Sequence, residues 1–472
     1  MNYLKYSIII ISLLIINILN AGTTGKISGT VTNADNNDPL VGCNIIIEST
    51  GMGSSTNING EYFIINIPPG KYTVIASMIG YKQVKIKNVT ISSDFTTPIS
   101  LELQTEAVSG EAVTVYASQN KIVKDLTSST SIISSEDFDI LPVTEISEVL
   151  EIQAGYVDGH LRGGRSGEVS YWIDGIAVTD AYNGNAATSI NKNSIEEMQV
   201  ISGAFNAEYG HAMSGIVNII TKDGSNKTGG YLSSYTGDFV SNQSSLFQNI
   251  SNINPLSTRN LDISINGPLI KDKLFYFANA RTVRYEGPYS GKKVFNHDNV
   301  SYFDSTGSFV ISKPTILNGD TIYPGYGNNN YVPMDWNEHN YFQLKFLYKF
   351  SPLTRIRFTR INDHILSQYY DRMYKYNPEG ALHHYDDSAT NIFQITKNLN
   401  QNTFINLGIT SYKKTYKHSA FEELDKYVHQ EVYTSRPYSF LTGGNNSSYF
   451  KRETKSTIIK SDITSQVKNN LI

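Results

Sequence analysis

The chain has 472 residues, of which 40% are hydrophobic and 17% charged, and its formal net charge is −4. This length predicts several domains or one large barrel. The mild acidity and the lack of any run of Lys or Arg argue against nucleic acid as a partner. The one cysteine, Cys43, excludes an intrachain disulfide framework and is expected to fill a small apolar site in the first domain.

Residues 1–22 have the pattern of a cleaved secretory signal peptide. Lys5 supplies positive charge, and Ile8 to Leu19 is almost wholly apolar but shorter than the ~20 residues that a membrane-spanning helix needs. The alternative is an uncleaved membrane anchor. No later stretch of the sequence has a comparable apolar run, so any further membrane crossing is expected to use β-strands.

Residues 25–104 alternate β-rich runs with closely spaced turns, which predicts an antiparallel β-sandwich. The segment resembles the carboxypeptidase-regulatory-like domain, a transthyretin-like or carbohydrate-binding-like sandwich. The motifs that carry this resemblance are GTV at 29–31, DPL at 38–40, NGEYF at 59–63, PGKY at 69–72 and IGY at 79–81. Each motif also has a turn or core explanation, so sugar binding by this domain is an expectation from fold analogy alone.

The region from Thr144 to Lys222 predicts a small α/β domain. Ile146, Val149 and Leu150 share one face of a helix that Thr144 is placed to cap. GIVNIIT, which ends the region, is a β-branched run with the length of a buried strand.

Two local signals set the turns of this α/β domain. Asp174-Gly175 joins VSYWI to IAV and predicts a two-residue type I′ hairpin, which needs positive φ at both positions. Ser194 followed by Glu197 has the spacing of a capping box, which predicts a short helical turn before the strand MQVI.

The motifs of this region strongly resemble, in order, the plug domain of TonB-dependent outer-membrane receptors. In that family the plug is a globular domain inside a transmembrane β-barrel. The resemblance implies a plug over 121–228. The matching residues are Arg162, Gly163, Gly164, Ile173, Asp174, Gly175, Ile195, Glu196, Glu197, Glu208, Tyr209 and Gly210.

Residues 105–120 are a linker that contains a candidate TonB box, the short segment by which such receptors are pulled. The resembling residues are Glu111, Ala112, Val113, Thr114, Val115, Tyr116 and Ala117. An extended, β-prone peptide on an accessible tether is able to add to the edge of a partner's sheet, and VTVY has that propensity. The alternative is that VTVY is the first strand of the plug or the last strand of the sandwich.

From Gly229 onward the sequence predicts the first part of a transmembrane antiparallel β-barrel. In YFQLKFLYKF at 341–350 an apolar row alternates with a mainly polar row, as in an outer-membrane barrel whose apolar face meets lipid. The polar stretches 286–338 and 413–447 are expected to be extracellular loops. The alternative is a secreted, water-soluble β-protein.

The segment 229–472 has roughly half the length needed for the twenty-two strands with which this family closes its barrel. Its end, SQVKNNLI, resembles the middle of a hairpin. We therefore expect the chain to be the N-terminal part of a longer protein, with the fold class mainly β: a sandwich, an α/β plug and an incomplete barrel.

The sequence contains no recognisable motif for catalysis, cofactor binding or metal binding. P-loop, HExxH, CxxC, GxSxG and dinucleotide fingerprints are lacking. His383-His384 with Asp386-Asp387 has metal-binding residue types, but a solvated cluster in a polar loop is the favoured interpretation. No enzymatic activity, cofactor or metal site is expected.

The leading functional hypothesis, implied by the resemblance, is energised uptake across the outer membrane of a Gram-negative bacterium. The expected partners are the TonB energy-transducing complex in the periplasm, outer-membrane lipid and an extracellular ligand. The resemblance leaves this ligand open among siderophores, cobalamin, glycans and peptides, and it implies that the N-terminal domain lies in the periplasm. The alternative hypothesis is a non-transporting, carbohydrate-binding adhesion protein on the cell surface.

Overall fold

The computed structural model describes three consecutive structural units after residue 22. The residues described are 23–105, 113–116, 129–165, 167–203, 209–210, 212–298, 301–303, 305–306, 309–311, 315–317, 320–322, 327–427, 440–441 and 443–466. The expected signal peptide, residues 1–22, lies outside them. Among the described residues, no helix has both the length and the apolar character required to cross a bilayer.

The first unit is a sandwich of two sheets. Its strands are β1 (Gly25–Asn33), β2 (Asn44–Ile47), β3 (Met52–Ser55), β4 (Glu61–Ile67), β5 (Gly70–Ser77), β6 (Val84–Ile91), β7 (Thr96–Pro98), β8 (Leu101–Leu103) and β9 (Val113–Tyr116). One sheet has β4, β1 and β7 in that order, with β8 also paired to β1, and the other has the order β3-β2-β5-β6-β9. The inward side chains of both sheets form one core, which includes the fully buried Cys43.

The sandwich is antiparallel in its hairpins but also contains parallel pairs. β7 and β8 run parallel to β1, and β9 runs parallel to β6. After Ile91 the chain crosses to the sheet that contains β1. There β7 and β8 run in the same direction as β1, so neither of them can form a hairpin with it.

The second unit is the plug, which is built on a mixed sheet of order β10-β15-β16-β13-β14. Its strands are β10 (Ser129–Ser134), β11 (Tyr156–Val157), β12 (His160–Leu161), β13 (Val169–Ile173), β14 (Ile176–Ala177), β15 (Ile195–Ser202) and β16 (Gly215–Thr221). Its helices are α1 (Ser135–Ile140), α2 (Ile146–Glu151) and the 3₁₀ turn Lys192–Ser194. Every residue of β16 is buried, as expected for a strand in the centre of the sheet.

Local signals in the plug are partly confirmed. Asp174 and Gly175 both have positive φ, as a type I′ turn requires. Glu145 occupies the N-cap position of α2, whereas Thr144, the expected cap, donates from its main-chain N–H to Glu148. The predicted helical turn before the strand is present at Lys192–Ser194, but the expected capping box is wrong, because the turn ends at Ser194 and Glu197 lies within strand β15.

The third unit is an eight-stranded antiparallel sheet, the barrel sheet, whose neighbours follow chain order. Its strands are β17 (Gly229–Gly237), β18 (Thr258–Ile270), β19 (Leu274–Glu286), β26 (Trp336–Ser351), β27 (Thr354–Gln368), β28 (His383–Asn398), β29 (Thr403–Ser419) and β30 (Phe450–Ser465). Its concave face holds the plug, since Tyr341, Ile361 and Ile392 join the plug's hydrophobic core.

The remaining elements are short and lie in the connections at one end of the barrel sheet. The strand pairs are β20 (Ser290–Lys292) with β25 (Tyr331–Pro333), β21 (Ser301–Phe303) with β22 (Phe309–Ile311), and β23 (Thr315–Leu317) with β24 (Asp320–Ile322). The 3₁₀ turns are Arg372–Tyr374, Pro378–Gly380 and Leu424–Lys426. The connection expected to begin at residue 413 begins after Ser419, because strand β29 continues through 413–419.

The alternation predicted for residues 341–350 is confirmed. Gln343 and Lys345 are buried against the plug, whereas Phe342 and Phe350 on the opposite row are exposed. The mainly polar row therefore faces the plug, and the apolar row faces outward from the barrel sheet.

Candidate functional site

The turn that joins β13 to β14 binds the barrel sheet through a buried ion pair. The carboxylate of Asp174 accepts hydrogen bonds from the main-chain N–H of Thr221 at 2.9 Å and from its hydroxyl at 2.8 Å. Lys345 of β26, whose side chain is only 2% exposed, places its Nζ 3.1 Å from Asp174 Oδ2. Asp174 thus acts both as the hairpin residue that the sequence indicates and as an anchor for a barrel lysine.

Asp223, just after β16, extends this pair into a buried charge cluster. Its carboxylate lies 2.9 Å from Lys345 Nζ and 2.9 Å from a terminal nitrogen of Arg357, whose Nε donates a second bond at 3.1 Å. Burial alone would raise the pKa of Asp223, but the positive charges of Arg357 and Lys345 outweigh it and lower the pKa. The cluster therefore holds a charged carboxylate of the plug against two cations of the barrel sheet.

Further polar contacts join the plug to other strands of the barrel sheet. Arg281 of β19 lies 2.7 Å from Glu145 at the start of α2. Arg452 of β30 lies 3.0 Å from Asp180, a fully buried carboxylate in the loop after β14. Because these contacts involve strands from β19 to β30, the plug binds most of the width of the barrel sheet.

A second contact surface of the plug faces the sandwich. Glu197, only 4% exposed, accepts a hydrogen bond from the main-chain N–H of Ser93 at 3.0 Å, and Gln199 donates to the Ser93 carbonyl at 2.8 Å. The Gln199 amide also donates to Glu197 at 2.9 Å. Two neighbouring plug side chains thus bind both main-chain groups of one residue in the turn between β6 and β7.

The two adjacent glutamates differ in their surroundings. Burial raises the pKa of Glu196 to about 7, and the opposing effect of Lys222 is smaller. Burial also raises the pKa of Glu197, although hydrogen bonds, first among them that from the Ser93 main chain, oppose the rise. Glu196 therefore titrates near neutral pH.

The other plug motifs lie in turns close to these contacts. Arg162 and Gly163 both have positive φ, and a Cβ on Gly164 would lie 2.3 Å from the Ser214 side chain, so this turn needs glycine at that position. Tyr209 donates to Asp94 of the sandwich at 2.8 Å and packs edge-on against Trp172. Glu208 lies outside the described residues, as do Glu111, Ala112 and Ala117 of the candidate box.

The described part of the candidate box, Val113–Tyr116, is the last strand of a sandwich sheet. It pairs in parallel with β6, from Val84 opposite Val113 to Lys87 opposite Tyr116. Val115 and Tyr116 are 46% and 66% exposed. The segment is thus extended and accessible, and it forms the last strand of the sandwich, as the alternative interpretation held.

A group of rings on the inner wall of the barrel sheet was not anticipated from the sequence. A hydrogen bond of 2.8 Å joins His384 Nδ1 and the Tyr416 hydroxyl. The rings of His418 and Phe450 pack beside them. The guanidinium of Arg452 lies 4.3 Å from the ring centre of Tyr182 in the plug. Tyr416 and His418 are two positions apart in the sequence, and this spacing predicts that they lie on the same face of a strand.

The interpretation of residues 383–387 as a polar loop is wrong, because they form the start of strand β28. His383 and His384 point to opposite faces of that strand. No group of three or more potential metal ligands occurs within the part of the chain that the structure describes.

Comparison with protein families identifies two domains. Residues 27–115 match the model of the CarboxypepD_reg-like domain, and residues 122–216 match that of the TonB-dependent Receptor Plug Domain. The first match ends within strand β9, and the second includes the plug motifs between Arg162 and Gly210.

Relatives with similar sequences include the TonB-dependent transporter Oar of Myxococcus xanthus, 23% identical over 54% of this chain and 26% of its own length. TonB-dependent receptor P26 of Formosa agariphila is 31% identical over 42% of this chain and 21% of its own length. The chain thus matches about a quarter of the length of these relatives. Their names are those of a transporter and a receptor.

Among solved structures, the outer membrane transporter YddB from Escherichia coli aligns with a TM-score of 0.49 at 12% identity, over 71% of this chain and 45% of its own. The two domain matches and the similar relatives agree with the sequence resemblance. The chain therefore contains a regulatory-like domain followed by a TonB-dependent receptor plug domain.

Proposed function

We propose that the full protein imports a ligand across the outer membrane through its plugged barrel, using energy delivered by TonB. The plug is held against the inner wall of the barrel sheet by buried ion pairs, whereas Val113–Tyr116 is extended and Thr114, Val115 and Tyr116 are exposed. A closed plug with an accessible strand ahead of it is the arrangement that a pull from the periplasm requires. This contrast is the observation that carries the proposal.

The proposed orientation places the sandwich in the periplasm and the ring group of Tyr416 and His418 toward the cell exterior. Residues 111–117 act as the TonB box, because a β-prone strand at an accessible edge suits pairing with a partner's sheet. The outward apolar row that includes Phe342 contacts outer-membrane lipid. The ligand belongs to one of four classes: siderophore, cobalamin, glycan or peptide.

Depletion of compounds from the growth medium tests this function and does not require the ligand to be identified first. Cells that express the full-length protein are compared with cells that express a version lacking 111–117, and the medium is profiled by mass spectrometry. We expect compounds that disappear with the intact protein to persist with the deletion, at equal surface display. Equal depletion by both cell types would reject TonB-driven uptake through this segment.

A single-residue comparison sharpens the same experiment. Val115→Pro removes a main-chain donor and disfavours the pairing of the strand, whereas Val115→Thr keeps a β-branched side chain. We expect uptake to be lost with proline and kept with threonine. The identity of the depleted compounds also separates the four ligand classes.

A further inference from the structure

We infer that the sandwich presents the box strand to the periplasmic partner: Val113–Tyr116 stays paired with β6 while a strand of the partner adds to its opposite edge. This inference rests on the proposed function of 111–117 as the TonB-binding segment. It goes further by assigning the sandwich as the surface on which the partner protein docks.

The first observation is the position of β9 within its sheet. Among the described strands, β9 is terminal in the order β3-β2-β5-β6-β9, with β6 on one side. In a parallel pair, successive residues direct their main-chain groups to opposite edges, so half of the groups of β9 are directed away from β6. Such an edge is a template for a further strand.

The second observation is that β9 is extended and accessible where the partner must bind. Thr114, Val115 and Tyr116 are all exposed, although the register with Val84–Lys87 holds their main chain in strand conformation. A peptide that is already ordered loses less conformational entropy on binding than a free tether does. The sandwich thus supplies a preorganised strand, and removal of the strand from β6 before binding would discard that advantage.

The third observation is that this platform is fixed to the plug. Glu197 and Gln199 bind the main chain of Ser93, and Lys71 of β5 lies 2.7 Å from Glu136 of α1. β5 and β6 are neighbours in the sheet that carries β9. A force applied to β9 therefore reaches the plug through the folded sandwich as well as along the chain.

The partner that fits this edge is a periplasmic protein with an unpaired strand at the margin of a sheet. The probe is the purified C-terminal domain of TonB from the same bacterium. Its binding to the detergent-solubilised full-length protein is measured by titration calorimetry.

An engineered disulfide between β6 and β9, called a staple below, tests whether β9 stays paired with β6 or leaves it when the partner binds. Lys85 and Thr114 are register partners across β6 and β9, and adjacent strands have the spacing that a disulfide needs. The variant K85C/T114C locks β9 onto the sandwich when oxidised. Cys43 does not compete, because it is buried and burial raises its pKa to about 11.

We expect oxidised K85C/T114C to bind the TonB domain within threefold of its reduced form. A loss of tenfold or more that reduction restores would overturn the inference, since it would show that the strand must leave β6. The matched control is T30C/E61C, a staple between β1 and β4 that does not involve the box strand. A second staple, K87C/Y116C, uses the next register pair that shares the face of Lys85 and Thr114.

Hydrogen exchange supplies a readout that needs no cysteine. With the TonB domain bound, we expect main-chain amides of Val84–Lys87 to keep their protection, and loss of that protection would contradict the inference. Absence of any binding by the wild-type protein would instead reject the proposed TonB box. The two failures are therefore distinguishable.

Discussion

Where the plug meets the barrel sheet, lysine and arginine side chains of the strands reach carboxylates of the plug in buried ion pairs. Where it meets the sandwich, Glu197 and Gln199 bind the main chain of one turn. The ion pair that also joins plug and sandwich, Lys71–Glu136, is exposed on both sides. The two contacts of one domain thus differ in their number of buried ion pairs and of participating strands.

This difference indicates which junction separates first. Breaking a buried ion pair leaves an uncompensated charge and is costly, whereas an exposed pair contributes about 0–1 kcal/mol. The plug is therefore expected to hold more firmly to the barrel sheet than to the sandwich.

The largest effect is expected from removal of the barrel cation at the buried cluster. Lys345→Met leaves Asp174 without its cationic partner in a buried site, and the expected loss in plug stability is about 3–5 kcal/mol. Urea titration of the full-length protein, followed by hydrogen exchange of plug peptides, measures it. Lys455→Met, at an exposed lysine of β30, is the matched control and is expected to change stability by less than about 0.5 kcal/mol.

A pH-dependent effect is expected at Glu196. Burial raises the pKa of Glu196 from 4.5 to about 7, so the folded plug retains a proton that the unfolded chain releases. The contribution of Glu196 to plug stability is therefore greatest below pH 4.5 and is lost as the pH rises through 7. Glu196→Gln should flatten this dependence and stabilise the plug at pH 8 by on the order of 2–3 kcal/mol. Calorimetric melting between pH 4 and 8 checks both the sign and the size.

A smaller effect is expected at the sandwich contact. Glu197→Met keeps the side-chain volume similar but leaves the main-chain N–H of Ser93 without its acceptor, at a cost of about 1–3 kcal/mol. Exchange of the Ser93 amide should accelerate while that of Thr221 stays unchanged. Glu102→Met, on the exposed face of β8, is the control. Faster exchange at both amides would show that the two contacts are not independent.

Local sequence signals predicted the elements whose cause is local. The Asp174-Gly175 dipeptide requires positive φ in a two-residue hairpin, and the alternation in 341–350 follows from the two faces of a strand. Both features depend on residues within a few positions of one another. For this reason the turn, the strand and its buried row were all predictable without a structure.

Long-range contacts account for the misassignments. The spacing of Ser194 and Glu197 fits a capping box, but Glu197 binds Ser93, 104 residues earlier in the chain. Residues 413–419 have polar groups on both rows and therefore resemble a loop, yet Lys414 of this strand lies 3.2 Å from Asp386 of the neighbouring strand. Tertiary partners thus decide both cases, and spacing along the chain does not reveal them.

Residue-resolved hydrogen exchange of the full-length protein in increasing urea tests the order of the two junctions most directly. The Ser93 amide reports the sandwich contact, and the Thr221 amide, bonded to Asp174, reports the barrel-facing cluster. The amide of Ser93 is predicted to open at a lower free energy than that of Thr221. Opening of Thr221 first, or of both together, would contradict a plug that is held more firmly by the barrel than by the sandwich.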